Sequence, residues 1–514
     1  MRGSALRALA SGTWAGMGAL ELGASKLAGV GAEMAARPTV GTAMRAFAAA
    51  APAFAVPGVS GDAAGVLATV EALLQPDSAS GPKDVSDAAV ALAYLGARGD
   101  RRLWGKVLEK AGSLGASLGG PALGNLAWAL SASNVSHSRT AAELSGPLAA
   151  SLKTLSPAQI SFAVEAIGAS GSADAELFAA ITALVEARAA DFKTADLTRL
   201  LWGFGAAGVQ DSKLVKAASA GLVAKSAELT GREAAQALWG LAALRRAPDA
   251  PLTAALSKAL KAGVEAPADA AAAAWALATL AVKADAGTVK ALADKAKAAA
   301  ADLSAAQAAQ GGWGLALLGD KDGAAALLAA AGAAVAKDPT SASPSALALL
   351  HIGATVSGAA LPPALAEFAS KGFALAVEHG RHARSGAAAA FHAELAEAVA
   401  YATGARHRPD VAAKVAALVA PAPDGSSLDI LLPAEKLAVV GVEAELLAAS
   451  GAVLGGSLGV ARVREAQGYK VALVSAADWP AGAPVKERAA ALLAAVKKAV
   501  PSLGGMADKL AREL

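Results

Sequence analysis

Apolar residues recur along most of the chain at helical spacing, in short segments that often contain a tryptophan. Five segments align with one another, and their tryptophans are Trp128, Trp202, Trp239, Trp275 and Trp313. The last four lie 37, 36 and 38 residues apart, and the 74 residues between the first two fit two periods. The missing segment is SFAVEAIGASG, with Val164 in the tryptophan position, and a weaker one is LALLHIGATVSG, with Leu349. A period of this length predicts a helical repeat protein.

Each tryptophan segment is followed by a turn and a second helical stretch. The turns contain Gly, Asp or Pro, as in GVQDSK and RRAPDAP, and Thr230 with Glu233 has the spacing of a capping box. Each repeat is therefore predicted to be two helices that bury their apolar sides by stacking on neighbouring repeats. The tryptophans are predicted to fill the core, and the Gly or Ala after each one to let the next helix approach. The predicted fold is mainly α, an α-α superhelical solenoid over residues 84–420.

The pattern changes after Pro421. The segment SSLDILLPAEKLAVVGVE contains two strand-like runs separated by a proline turn, and KVALVS is a third run. An Asp-Trp-Pro turn and the helix VKERAAALLAAVKKAV follow. Residues 421–514 are therefore predicted to form a small α/β module that ends in a helix.

Composition narrows the possible functions. The chain contains no cysteine, which excludes disulfides, thiolate zinc sites and cysteine nucleophiles. Pro, Gly or charged residues interrupt the apolar runs, so we expect no membrane span. The formal net charge is +3, and residues 1–60 account for all of it with five basic and two acidic groups. A strongly basic nucleic-acid-binding protein would look different, so any RNA contact must depend on local patches.

The first residues are typical of an organelle address. MRGSALRALASGTW is basic, rich in Ser and Ala, and free of acidic groups, as amphipathic transit peptides are. Arg45 lies three residues before Ala48, in the spacing of a mitochondrial processing site. We therefore predict a mitochondrial transit peptide over residues 1–47 and a linker or N-terminal cap over 48–83. An ordinary N-terminal helix is the alternative, and the chloroplast is the alternative destination.

The repeat segments LTRLLWGFGAAGVQDSKL and REAAQALWGLAALRRAPDAPL resemble the octotricopeptide and heptatricopeptide repeats of organelle RNA-binding proteins. The C-terminal module resembles a RAP domain, a module that accompanies such repeats in organelles. The resemblance lies in Asp429, Gly468, Tyr469 and Trp479. Together the two resemblances imply an organelle RNA-binding protein.

RAP domains are similar to a restriction-endonuclease-like fold, which raises the question of nuclease chemistry. That chemistry needs an Asp and a Glu-x-Lys on adjacent strands, to hold a divalent metal and to stabilise the developing charge. Asp429 is a candidate for the first carboxylate, but the next strand offers Glu443 and Glu445 without a Glu-x-Lys. We therefore expect no catalytic residues, no metal, no cofactor and no small-molecule substrate.

Basic residues near and within the C-terminal module are candidate phosphate contacts. They are Arg381, Arg384, Arg406, Arg408, Arg462, Arg464 and Lys470. Repeat proteins that read RNA use two or three side chains per repeat, and here the polar candidates are Asn125, Arg199, Gln236 and Arg245. Ala273 and Gly311 occupy comparable places in other segments, so the array is predicted to read sequence poorly.

These observations predict a non-catalytic organelle RNA-binding scaffold. The favoured form is a structural component of a mitochondrial ribosome that contacts ribosomal RNA, in preference to messenger RNA, and neighbouring proteins. Three alternatives stay open: a factor for the stability, maturation or translation of one organelle transcript, an RNA-processing nuclease, and a purely protein-binding scaffold.

Overall fold

The computed structural model describes residues 70–94, 100–133, 135, 137, 139–171, 173–383, 386–403, 430–432, 436–448 and 450–513. The predicted transit peptide lies outside these residues. The chain divides into two compact units, an N-terminal unit that ends at Asp269 and a C-terminal unit that begins at Ala270. Both are mainly helical, as predicted, and the C-terminal unit also contains a three-stranded sheet. Among the described residues, no helix has the length and apolar character that crossing a membrane requires.

Helices alternate along the chain in pairs, and we call each pair a repeat. The first helices are α1 (Pro82–Tyr94), α3 (Gly120–Ala132), α5 (Pro157–Ala169), α7 (Thr194–Ala207), α9 (Gly231–Ala243), α11 (Pro267–Thr279), α13 (Ala305–Leu318) and α15 (Pro344–Ser357). The second helices are α2 (Arg101–Leu114), α4 (Thr140–Ser151), α6 (Ala175–Arg188), α8 (Ser212–Ala224), α10 (Ala250–Ala262), α12 (Ala286–Ala298), α14 (Lys321–Lys337) and α16 (Pro363–Ala383).

Neighbouring repeats pack helix by helix. In the N-terminal unit, the first helices pack on one another in the order α1, α3, α5, α7 and α9, and the second helices pack in the order α2, α4, α6, α8 and α10. In the C-terminal unit, α13 packs on α15 and α12 packs on α14 in the same way. The buried side chains of α8 are Leu214, Ala218 and Leu222, one helical turn apart, so this helix has a single apolar stripe that needs neighbours to cover it.

The tryptophan position is the ninth residue of every first helix. Counted from the helix starts, the ninth residues are Val90, Trp128, Glu165, Trp202, Trp239, Trp275, Trp313 and Ile352. The assignments of Val164 and Leu349 to this position are therefore wrong. In α5 the position is held by a glutamate, and a comparison that looks for apolar residues selects the valine beside it.

The residue after the ninth position brings successive first helices into backbone contact. In four repeats this residue is a glycine, and on three of these glycines a Cβ atom would collide with the peptide bond before the ninth residue of the previous repeat. The shortest distances would be 2.5 Å from Gly240 to Leu201, 2.7 Å from Gly203 to Val164, and 2.5 Å from Gly314 to Ala274. Side chains cannot be accommodated at such distances without moving the backbone, which is why glycine stands there. The contact at Val164 independently identifies Glu165 as the ninth residue of its repeat.

The turns inside most of the repeats are also built in one way. Six residues after the ninth position the backbone is left-handed, at Gly171, Gly208, Arg245, Ala281, Gly319 and Gly358. An aspartate then accepts a hydrogen bond from a backbone N–H in the first turn of the second helix. These N-caps are Asp100, Asp174, Asp211, Asp249, Asp285 and Asp320. The left-handed position at a helix end favours glycine, and the N-cap position favours aspartate. These preferences explain the Gly and Asp residues of the predicted turns.

The predicted strands are present in the C-terminal unit. They are β1 (Ile430–Leu432), β2 (Leu437–Val442) and β3 (Lys470–Ser475), in the spatial order β1-β2-β3. Strand β1 is antiparallel to β2, and β2 is parallel to β3 with Leu437 opposite Lys470. Parallel neighbours need a crossover, and α18 (Gly455–Ala466) lies on that connection. Before the sheet comes α17 (Gly386–Ala402), and after it come α19 (Val485–Ala499) and α20 (Gly504–Glu513).

Helix α18 joins the sheet to the repeats of the C-terminal unit. A Cβ atom on Gly455 would lie 2.0 Å from the carbonyl oxygen of Ala278 at the end of α11. Four residues later, a Cβ atom on Gly459 would lie 3.1 Å from the indole nitrogen of Trp313 in α13. Val463, another turn along, packs in the same apolar cluster as Trp313. One face of α18 therefore lies directly against the first helices.

Candidate functional site

The predicted phosphate contacts of the C-terminal module have different surroundings. Arg462 is exposed and forms an ion pair of 3.0 Å with Glu465 one turn along α18. Lys470 is exposed at the start of β3. Arg464 is completely buried, and its guanidinium donates a 3.0 Å hydrogen bond to Gln467. Arg462 and Lys470 are therefore accessible to solvent, and Arg464 is not.

The other predicted contacts near this module lie outside the described part. Arg384, Arg406, Arg408 and Asp429 fall outside the described residues, and for Arg381 only its backbone place in α16 is described. Of the residues on which the predicted resemblance to a RAP domain depends, Gly468 is left-handed at the end of α18, with φ of +89°. The N–H of Tyr469 donates to the carbonyl of Arg464 at 3.0 Å, which closes the helix end.

The predicted RNA contacts of the first helices are mostly used inside the protein. Arg199 of α7 lies with its guanidinium carbon 4.1 Å above the ring of Phe162 in α5, and donates a 3.1 Å hydrogen bond to Asp196. Gln236 of α9 is 2% exposed. Asn125 of α3 is exposed. Arg245 holds the left-handed turn position after α9 and is half-buried. Of these four residues, only Asn125 is exposed.

A buried carboxylate connects four first helices of the N-terminal unit. Glu165 of α5 is 0% exposed and accepts a hydrogen bond from the Ser131 hydroxyl of α3. The amide nitrogen of Gln236 in α9 donates to its other oxygen at 3.3 Å, across the intervening repeat. The guanidinium of Arg199 in α7 lies 3.8 Å away. A buried charge requires such partners, so Glu165 ties these helices together.

Further polar contacts extend this network. The hydroxyl of Thr198 in α7 donates to Gln236 at 2.9 Å, and the hydroxyl of Ser161 in α5 donates to Asp196 in α7 at 3.2 Å. Nearby, burial lowers the pKa of the Arg232 guanidinium, an effect that the neighbouring acidic groups oppose. The polar side chains of these first helices thus contact one another between repeats. We call this set of residues the inter-repeat network; its members are Ser131, Ser161, Glu165, Asp196, Thr198, Arg199 and Gln236.

The five tryptophans are buried to different extents. Trp202 and Trp313 are 8% and 2% exposed, whereas Trp128, Trp239 and Trp275 are half-buried. The rings of Trp202 and Trp239 stack across successive repeats, with centroids 5.4 Å apart and planes 27° apart. The tryptophans therefore cover the contacts between first helices, and three of them keep part of the ring accessible.

A second polar cluster joins the C-terminal module to α17. The ring of His392 in α17 lies 2.9 Å from Glu443, the residue directly after β2. The indole N–H of Trp479 donates to Glu394 of α17 at 2.9 Å, and this hydrogen bond lowers the pKa of that carboxyl. Arg488 of α19 forms a 2.8 Å ion pair with Glu397 of α17. These contacts fix the sheet and α19 on the preceding helix.

The carboxyl ends of parallel strands are where α/β proteins place ligands, so Glu443 is the natural residue to test for chemistry. It is 9% exposed and is held by His392. No group of three His, Asp or Glu side chains with the geometry of a metal site occurs among the residues that the structure describes. The arrangement at this strand end is suited to holding elements together.

Sequence reasoning missed the Glu165 contacts and the His392–Glu443 pair. For Glu165 a signal existed, because a constant step of 37 residues from Trp128 arrives at this glutamate and continues to Trp202. For His392 and Glu443 there was none, since the two lie 51 residues apart with no shared pattern. In comparisons with known proteins, no protein-family model matches the chain, and no curated protein is significantly similar to it in sequence.

Proposed function

We propose that the chain is a non-catalytic RNA-binding scaffold of an organelle, and a structural component of a mitochondrial ribosome that contacts ribosomal RNA and neighbouring proteins. The observation that carries this proposal is the inter-repeat network. A protein that reads RNA bases must present polar side chains on its repeats, yet Arg199 and Gln236 are engaged with Glu165 and with neighbours on α7. Their use inside the protein favours a scaffold over a reader of one transcript.

We infer a matching architecture. The repeats form an α-α superhelical solenoid, and the C-terminal module is RAP-like. The common ninth position, the backbone contacts at the following glycine and the uniform turns support the first statement. The mixed sheet, the left-handed Gly468 and the anchored Trp479 support the second. The engagement of Glu443 with His392 supports a structural use of that carboxylate.

The experiment is sedimentation of the native protein from purified organelles, before and after RNase treatment. A ribosomal component should sediment with one ribosomal subunit in high salt, and RNase should shift it to lighter fractions. Cross-linking followed by RNA sequencing should then place the contacts on ribosomal RNA. Migration as a free monomer, no heavier than the 49.9 kDa of the full chain, before RNase would refute the ribosomal role. Cross-links confined to one messenger RNA would instead favour the transcript-specific factor.

A further inference from the structure

Two adjacent second helices of the N-terminal unit carry lysines and no acidic residues. Helix α8 contains Lys213 and Lys216, and α10 contains Lys258 and Lys261. All four are exposed, and in each helix the two lysines are three residues apart, which places them on one side of the helix. Because α8 packs on α10, the four cations belong to one continuous surface. We call this surface the lysine face.

Among the described residues, one lysine of this face, Lys261, has an interaction partner. The ammonium groups of Lys213, Lys216 and Lys258 make no hydrogen bond or ion pair with any described residue. Some exposed lysines elsewhere pair with acidic neighbours one turn away, as Lys290 does with Asp294 and Lys371 with Glu367. Helices α8 and α10 contain no acidic residue that could pair with their lysines in this way, which distinguishes them from the other second helices.

The carboxylates at the starts of the two helices are engaged, whereas Glu265 lies four residues after Lys261. Asp211 and Asp249, the N-caps of α8 and α10, accept hydrogen bonds from backbone N–H groups of their own helices at 3.1 Å and 2.9 Å. The preceding second helix, α6, carries Glu176 and Glu186, so the excess of positive charge begins at α8. The formal net charge of the whole chain, +3, does not reveal this local concentration of positive charge on α8 and α10.

We propose that the lysine face holds the phosphate backbone of the RNA, without reading its bases. This inference rests on the proposed function and places the contact on the second helices. Arg199 and Gln236 of the first helices are engaged in the inter-repeat network, whereas the lysine face presents point charges without planar hydrogen-bonding groups. Ammonium groups bind phosphates electrostatically and carry no base information. The partner is therefore a polyanion recognised by charge spacing and independent of its sequence.

The test compares two fourfold variants of the full chain. One removes the lysine face (Lys213→Gln, Lys216→Gln, Lys258→Gln, Lys261→Gln). The matched control removes four lysines that pair with acidic residues elsewhere (Lys83→Gln, Lys290→Gln, Lys371→Gln, Lys497→Gln). Each variant loses four charges, so the formal net charge changes from +3 to −1 in both. The probe is a fluorescein-labelled single-stranded uridine oligonucleotide, and the readout is anisotropy over a range of salt concentrations.

Counterion release predicts the size of the effect. Each phosphate contact with a single strand contributes about 0.7 to the slope of log affinity against log salt, so losing four contacts should reduce the slope by roughly 2.8. Between about 50 and 200 mM salt, wild type should thus lose roughly 50-fold more affinity than the lysine-face variant. The control should keep the wild-type slope, and oligonucleotides of adenosine or cytidine should bind like uridine.

Four results would count against the proposal. Equal loss of slope in both variants would show that only overall charge matters, and would overturn the lysine face but leave the proposed function intact. A preference of tenfold or more for one base would overturn backbone-only binding. Equally tight binding to polyglutamate would make an acidic protein the partner. No binding of RNA by the wild-type chain at low salt would overturn both this inference and the proposed function.

Discussion

Replacing Gly240 by alanine tests whether the first helices truly touch through their backbones. The added Cβ atom would lie 2.5 Å from the carbonyl carbon of Leu201, whereas ordinary contacts begin at 3.4 Å. The two helices must therefore separate by roughly 0.9 Å, because the obstacle is backbone and cannot rotate away. Overpacking of this kind costs about 1–3 kcal/mol or more. Alanine regains about 1 kcal/mol of helix propensity.

Because the obstacle is backbone, the overpacking cost should lie in the upper part of its range, at about 2–3 kcal/mol. After the propensity gain of about 1 kcal/mol, we expect a net loss of about 1–2 kcal/mol. For a unit of this size that loss lowers the melting temperature by roughly 2–4 °C per kcal/mol. The assay is urea unfolding followed by tryptophan fluorescence, with near-ultraviolet circular dichroism to report the stacking of Trp202 on Trp239. That stacking adjoins the substitution and should weaken with it.

A graded series makes the test sharper. Gly205→Ala should destabilise less, because its Cβ atom would lie 2.9 Å from its nearest neighbours. Gly456→Ala, at an exposed site in α18 with nothing within 4 Å, should be neutral or slightly stabilising. The reasoning would be refuted if Gly240→Ala were as stable as wild type, or if the three variants did not follow this order.

Three further predictions concern other features. Ala281→Gly should stabilise by about 0.5–1 kcal/mol and Gly319→Ala should destabilise by about 1–2, because both positions are left-handed; equal melting temperatures would contradict this. Glu165→Ala should destabilise by about 3–5 kcal/mol, since it leaves a neighbouring guanidinium and amide without their partner; an unchanged urea midpoint would disprove it. Trp479→Phe should raise the pKa of Glu394, because the indole hydrogen bond that lowers this pKa is removed. The lowered pKa stabilises the fold above the unfolded pKa of about 4.3, and this stability is lost as the pH falls. The variant should therefore be less stable than wild type at neutral pH and lose less stability on acidification, and parallel melting curves from pH 7 to 3 would refute this.

Periodicity predicted much of the fold because the repeats are built from local signals. The helix pairs, the Gly and Asp of the turns and the three strands each follow from residues within one segment. The glycine after Trp239 was predicted to allow close approach, and the structure places it against the backbone of the previous first helix.

The candidate site could not be predicted to the same extent, because its contacts join distant residues. Glu165 meets Ser131 and Gln236, which lie 34 and 71 residues away, and a solvent-exposed helix face would show the same polar residues. Arg464 has the sequence surroundings of a surface arginine, yet it is buried beside Gln467. Burial of this kind depends on which helices meet, and local sequence does not encode that.

Glu165 also has a consequence for how the N-terminal unit unfolds. In a repeat protein whose repeats contact only their neighbours, stability is approximately a sum of single-repeat and nearest-neighbour energies, so end repeats can fray one at a time. Through Gln236 this carboxylate couples α5 to α9 across the intervening α7. That adds a next-nearest-neighbour energy, so the three repeats from α5 to α10 should open as one cooperative block with a shared hydrogen-exchange rate.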